Sequence, residues 1–326
     1  LHVMVYGEMR QTAQDVAADR LLTLLPETLD AVYFVNSGAE AIDAAMKLVR
    51  RVTHRSKILA VEGGYHGNTF GALSVSSNAE RKAPFGPLVG DIELIPWNDM
   101  EGLEAIDASV AGIIVETVQG DAGIRIPDPE WLRAIRDKCT QTGAHLVLDE
   151  IQCGFGRTGR PFAFEHFGVE PDHLCLGKAL GGGMPMGALV SNKEHLQQFA
   201  HSPSLGHITT FGGHPVPCAA SAAASALLQS TDWNRVEQVG QTIEEAMREC
   251  AHVREVRRIG LYIAVELESS EAVNEVVQTA MQRGVLVFYF LSTPEAFRIA
   301  PPLNINDVDL NEAIDTLIAC IEQAHA

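Results

Sequence analysis

The chain of 326 residues carries 24 Lys plus Arg against 42 Asp plus Glu, a formal net charge of −18, with 46% apolar and 20% charged residues. That composition supports a sizeable core and excludes wholesale disorder, and the acidic balance argues against unassisted binding to nucleic acid or an anionic membrane surface. No apolar run approaches the ~20 residues that span a bilayer, and Leu1–Glu8 lacks the features of an export signal. The chain therefore reads as a cytoplasmic protein whose partners are small molecules or other proteins. Its six cysteines, Cys139, Cys153, Cys175, Cys218, Cys250 and Cys320, form no C-x-x-C pair. They are expected as free thiols, and metal binding is not expected.

In chain order, a helical periodicity over 13–25 leads into a short apolar run at 31–35. Ala41, Ile42, Ala45, Met46 and Val49 then recur at helical spacing before a second apolar run at 57–61. Further apolar runs stand at 112–115, 145–148, 173–176 and 187–190, bounded by Gly, Pro or polar residues. Runs without polar alternation predict strands buried on both faces. Between the third and fourth, 129–142 predicts a helix with Trp131, Leu132, Ile135 and Cys139 on one stripe, Pro129 at its start and Gly143 past its end. The alternation of strand and helix predicts an α/β fold with a mostly parallel sheet. After about residue 215 the texture changes to an Ala-rich helix at 219–228, then strand 261–267, helix 272–283, strands 285–289 and 297–299, and helix 308–324. This grouping predicts a large domain over 1–215 and a helix-linked, smaller α+β domain over 216–326.

Three segments place reactive groups at predicted strand ends. Asn36-Ser37-Gly38-Ala39-Glu40 lies where a strand gives way to an amphipathic helix, and the unpaired first-turn N–H groups there make either an anion site or a simple Ser37 cap. Asp149 and Glu150 end the run at 145–148, where open α/β sheets hold their ligands, although an acid capping the next loop is the plainer reading. Lys178 follows the run at 173–176 with no other charged residue between Leu174 and Asn192. Burial there lowers an amine's pKa and leaves it a neutral fraction for attack on a carbonyl. Gly154-Phe155-Gly156-Arg157-Thr158-Gly159 fits a dinucleotide fingerprint only formally, since Pro161 and aromatic residues follow it instead of a helix.

Together these segments, with Gly64-Tyr65-His66-Gly67, Glu116-Thr117-Val118-Gln119-Gly120-Asp121, Thr209-Thr210-Phe211-Gly212-Gly213 and Arg298-Ile299-Ala300-Pro301-Pro302-Leu303, resemble the class III (omega) aminotransferases, pyridoxal-phosphate enzymes of fold type I. The resemblance runs from about Glu8 to the C-terminus. It implies pyridoxal 5'-phosphate as cofactor, carried by Lys178 as an internal aldimine, with Lys178 then shuttling the substrate proton. Asp149 would face the pyridine nitrogen. Ser37, Gly38 and Ala39 would hold the phosphate, Tyr65 would stack on the ring, and Gln152 would lie near its hydroxyl. Thr210 would reach the cofactor of a second subunit, which implies a homodimer. Arg298 would clamp the α-carboxylate of glutamate or 2-oxoglutarate, and Glu116 would neutralise it when an ω-amine is bound. His66 is left without a role.

Lys82-Ala83-Pro84-Phe85-Gly86-Pro87-Leu88 and Ile95-Pro96-Trp97-Asn98-Asp99 look most like the acetylornithine and ornithine branch. The expected function is transfer of an amino group from such an ω-amino acid to 2-oxoglutarate. A glutamate-1-semialdehyde aminomutase and a non-catalytic pyridoxal-phosphate-binding protein are the alternatives. The chain departs from the family pattern at Ile42-Asp43, Thr117 and His214, where Asn-Glu, Pro and Asn are common. The resemblance also implies an N-terminal segment ahead of Leu1, so that the large domain is entered partway.

Overall fold

A computed structural model describes residues 9–325; the expectation about the chain's opening falls on residues 1–8, outside the described residues. Seven strands form the larger sheet: β1 (Ala31–Val35), β2 (Lys57–Val61), β3 (Ile92–Ile95), β4 (Val110–Glu116), β5 (His145–Asp149), β6 (His173–Leu176) and β7 (Gly187–Ser191). Their order is β1-β7-β6-β5-β4-β2-β3. β3, β2, β4, β5 and β6 run parallel, and β7 is antiparallel to both of its neighbours. The expected α/β fold with a mostly parallel sheet is what forms. β3 was not read from the sequence, because only Ile95 of its four residues is fully buried and the charged Glu93 breaks the apolar run. β1 was expected to be buried on both faces, but it is an edge strand in which only Val35 is buried.

The crossover helices cover both faces of the sheet. The helix Gly38–Thr53 buries Ala41, Ile42, Ala45, Leu48 and Val49 against one face. The helix Pro129–Thr142 starts on an Asp128 cap, ends at Gly143, and buries Trp131, Leu132, Ile135 and Cys139 against the other. Its bounds are those read from the sequence, since Pro at the first turn and Gly past the last are the strongest end signals. The Ala-rich helix, Pro215–Gln229, packs Cys218, Ala222 and Leu228 into the same core. At its start His214 accepts a hydrogen bond from the Val216 N–H at 3.1 Å, so this departure from the family pattern still caps the helix.

A second sheet, β8 (Glu255–Ile259), β9 (Tyr262–Glu266), β10 (Phe288–Tyr289) and β11 (Ala296–Ile299), is wholly antiparallel in the order β10-β11-β9-β8. Helices Trp233–Arg248, Ser270–Gln282 and Asp307–Gln323 close a separate apolar core over it, with Val239, Ile243, Val276, Leu317 and Ile321. The first of these helices and β8 were not read from the sequence. β8 carries Glu255, Arg257 and Arg258, whose charges mask its strand pattern.

The two sheets meet through the run from Gly154 to Gly159. Arg157 Nη1 donates to the carbonyls of Leu261 at 3.0 Å and Pro301 at 2.8 Å, and the Leu261 N–H returns a bond to the Arg157 carbonyl. The glycine pattern that mimics a dinucleotide fingerprint is thus a turn that lets the smaller sheet dock close by.

Candidate active site

The carboxyl ends of β4, β5 and β6 converge on one edge of the large sheet, where Glu116 is in register with Asp149 and Asp149 with Cys175. Just past β6 the chain turns back on itself. Gly177 is extended and Lys178 takes φ +46°, a left-handed conformation that a lysine adopts only at a cost of about 1–2 kcal/mol. The turn throws the lysine into a cavity of about 270 Å³ lined by Gly38, Ala39, Tyr65, Glu116, Asp149 and Lys178, among others. Lys178 is solvent-accessible through this cavity yet enclosed by protein around it. Burial lowers the pKa of its amine, the charges of Asp149 and Glu116 act to raise it, and the net shift is downward. Its Nζ lies 3.5 Å from Gln152 Oε1.

Asp149 is 4% exposed and held in place by two donors. Its Oδ1 accepts from the Ile151 N–H at 3.0 Å and its Oδ2 lies 2.7 Å from His66 Nδ1. Burial pushes the His66 imidazole towards the neutral form, but the hydrogen bond and charge of Asp149, with the charge of Glu116, outweigh it and raise the pKa. His66 is the residue that sequence reading missed. The Gly64 to Gly67 motif flagged its neighbourhood, but nothing in the spacing joins position 66 to position 149.

The two carboxylates read together at the end of β5 divide their work. Glu150, 1% exposed, accepts from the N–H groups of Ala163 and Phe164, both at 2.7 Å, and so anchors the following loop. Glu116 accepts from the Tyr65 N–H at 2.8 Å and the Gly120 N–H at 2.9 Å. Burial pushes both acids up to about 7.

At the other wall, Ser37 Oγ caps the helix Gly38–Thr53 by accepting from the Glu40 N–H at 3.2 Å. Gly38 and Ala39, first-turn residues whose N–H groups no helical carbonyl can reach, line the cavity. A Cβ at Gly187 would overlap the Ser37 carbonyl oxygen, so β7 and this turn approach closely only because position 187 is glycine.

Of the residues proposed from sequence, Gly38, Ala39, Tyr65, Glu116, Asp149, Gln152 and Lys178 line the one cavity. Ser37 acts behind it as the cap. Thr210 is exposed and does not line it. Arg298 lies on β11 with its guanidinium 5.9 Å from the Phe290 ring centroid. Among the described residues no ion pair joins it to Glu116, whose oxygens take backbone donors instead.

A lysine of depressed pKa, a buried carboxylate locked by a histidine and a helix N-terminus around one cavity of an α/β sheet define a class of enzyme that handles a carbonyl-bearing, anionic cofactor. The chain belongs to the class III aminotransferase family, whose model matches residues 1–321. It is 41% identical over 307 residues to the acetylornithine aminotransferase of Methanopyrus kandleri, covering 93% of this chain and 78% of that protein. It is 36% identical over 310 residues to the LysW-aminoadipate semialdehyde/glutamate semialdehyde transaminase of Sulfurisphaera tokodaii, covering 92% and 77%. Among solved structures, the ornithine aminotransferase of Toxoplasma gondii superposes with a TM-score of 0.89 at 28% identity, covering 99% of this chain and 80% of that one. The fold is therefore fold type I and the protein a class III transaminase. Its cofactor is pyridoxal 5'-phosphate, which that ornithine aminotransferase holds in its active site at partial occupancy. The residues present fit this group: an amine for its carbonyl, a fixed carboxylate, and a helix N-terminus for its phosphate.

Proposed function

We propose that the chain transfers the terminal amino group of an ω-amino acid of the acetylornithine or ornithine kind to 2-oxoglutarate. The observation that carries the chemistry of this reading is the meeting of Lys178, the Asp149–His66 pair, Gly38 and Ala39 in a single cavity; the names of the similar acetylornithine and ornithine aminotransferases support the donor. When bound, pyridoxal 5'-phosphate supplies an electron sink for the charge left on the substrate Cα after proton loss. The chain's own groups do the rest. Asp149, immobilised by two donors, sets a negative charge against the ring nitrogen. Lys178, whose pKa burial lowers, would be the residue that holds the cofactor through its carbonyl carbon, and its Nζ, when free, would accept the substrate Cα proton as a general base and return it as a general acid. Gly38 and Ala39 would hold the phosphate through first-turn N–H groups and the helix dipole, and Tyr65 and Gln152, which line the same cavity, would pack against the ring and meet its hydroxyl.

Glu116 and Arg298 distinguish the two donors. Arg298 binds the α-carboxylate of glutamate or 2-oxoglutarate. Glu116, already held by two backbone donors, supplies the negative charge that Arg298 meets when an ω-amine occupies the pocket. A carboxylate-binding arginine also speaks against the aminomutase reading, and the relatives described above are transaminases by name. The reading further includes a cytoplasmic homodimer in which Thr210 serves the other subunit's phosphate, and the division of the chain into 1–215 and 216–326. The separate core over the smaller sheet supports that division.

The test is a set of half-reactions. Acetylornithine, ornithine, 4-aminobutyrate and lysine are mixed singly with the cofactor-loaded protein, and 2-oxoglutarate is then added. At least one amine is expected to bleach the visible absorbance of the bound cofactor, with 2-oxoglutarate restoring it, and Lys178→Ala is expected to lack the starting band. Failure of all four amines overturns the reading.

A further inference from the structure

The strand starts carry a second cluster of reactive side chains, about 13 Å of β-strand away from the cavity. His145 opens β5, His173 opens β6, and His195 lies on the short helix Lys193–Gln197. Their nitrogens fall within 4.8 Å of one another. The ring centroids are 5.0 Å apart for His145 and His173, 4.9 Å for His145 and His195, and 5.6 Å for His173 and His195. Three imidazoles on one tetrahedral zinc, with Zn–N bonds of about 2.0–2.1 Å, place their centroids about 5 Å apart. The rings already have that spacing, and small side-chain rotations would aim their nitrogens at a common point.

The hydrogen bonds around the cluster decide which nitrogens are available. Ser191 Oγ donates to the Asp172 carbonyl at 2.9 Å, so it accepts from His173 Nδ1 at 2.8 Å. His173 therefore carries its proton on Nδ1, and its Nε2 accepts a hydrogen bond from His145 Nδ1–H, 2.7 Å away; an ion entering between the rings takes the place of that bond, with the His145 proton moving to its Nε2. A ligating histidine is held in its tautomer by this kind of outer bond. His195 Nδ1 is buried without a hydrogen-bond partner among the described residues. Burial lowers the pKa of His145 and takes that of His173 well below its usual value, so both are neutral at pH 7, as ligands must be. Of the charges facing the cluster, Asp172 favours a cation, and Arg136 is paired to Asp172 at 2.8 Å. Arg55 also faces it, with its guanidinium engaged by the carbonyls of Val110 and Thr142.

We propose that His145, His173 and His195 form a binding site for a divalent transition metal of the zinc class, with water as the fourth ligand. Three imidazoles without a carboxylate select such an ion over magnesium or calcium. The site clamps the helix Lys193–Gln197 onto the ends of two central strands, and it lies at the opposite end of those strands from the catalytic groups. The cysteine spacing says nothing of this cluster, which folding alone assembles from residues 145, 173 and 195.

The test uses the cofactor-loaded protein stripped of metal with a chelator. Titration calorimetry with zinc is expected to give one ion per chain with a dissociation constant at or below about 1 μM, and zinc is expected to raise Tm. Cobalt(II) is expected to give the visible absorption of a tetrahedral site. His195→Ala, on a half-buried helix, is expected to abolish both signals, Ser191→Ala to weaken binding about 10–100-fold through the lost tautomer lock, and Lys193→Ala to change neither. The proposal is overturned if the wild-type chain binds no zinc below about 100 μM. It is equally overturned if His195→Ala and His145→Ala bind as the wild type does, which would place the ion on others of the 12 histidines.

Discussion

Single residues show where local chemistry was visible and where it was hidden. Lys178 stood out because its sequence surroundings hold no other charge; in the fold burial lowers its pKa, while Asp149 and Glu116, brought into the same cavity from other strands, act to raise it. If Arg298 clamps the α-carboxylate as proposed, Arg298→Ala removes a charged hydrogen bond worth about 1.5–3 kcal/mol. It should therefore raise KM for 2-oxoglutarate about 10–150-fold while leaving KM for the ω-amino donor within a few-fold; steady-state kinetics with both substrates checks this, and equal effects would remove Arg298 from carboxylate binding. Glu150 carries a pH prediction. Its pKa in the folded chain is about 7 because it is buried, against about 4.3 when unfolded. Between these values the folded state keeps a proton that the unfolded state has lost, so this residue makes stability fall as pH rises. The Tm of Glu150→Gln relative to the wild type should therefore increase from pH 4.5 to 7 and then level off. A difference that stays flat with pH would contradict the burial argument.

Among elements, the tight junction of β7 with the start of the helix Gly38–Thr53 sets the end of the cavity lined by Gly38 and Ala39. Gly187→Ala would push a methyl group against the Ser37 carbonyl. It should cost about 1–3 kcal/mol of stability, as overpacking does, and weaken cofactor binding. Gly90→Ala, where an added Cβ meets nothing within 4 Å, should change stability by less than about 0.5 kcal/mol. Denaturant melts and cofactor titration of both variants decide it. Elements with strong end signals were legible in the sequence, as the helix Pro129–Thr142 shows. Short strands that carry charged side chains were not: in β3 and β8 the apolar residues are too few to mark a period.

For the molecule as a whole, the exposed Leu205, Ile208 and Phe211 lie beside the exposed Thr210, which suits a surface covered by a second subunit. Light scattering should give twice the 35.2 kDa of one chain. If Thr210 serves the partner's cofactor, mixing Lys178→Ala subunits with Thr210→Ala subunits should create dimers with one intact site. At limiting pyridoxal phosphate the mixture should be more active than either parent alone; no gain would place Thr210 in its own subunit's site.

The sequence by itself determined the α/β alternation, the family and most of the residues around the cofactor cavity. Each of those rests on short-range information: an apolar run, a helix end, or a reactive residue at the close of a strand. Only the tertiary structure decided that His66 holds Asp149, that Glu150 anchors a loop while Asp149 faces the cavity, and that three histidines meet at the far ends of the strands. Those relations are set by strand order and register, which bring together residues tens of positions apart, and no local pattern of side chains encodes that distance.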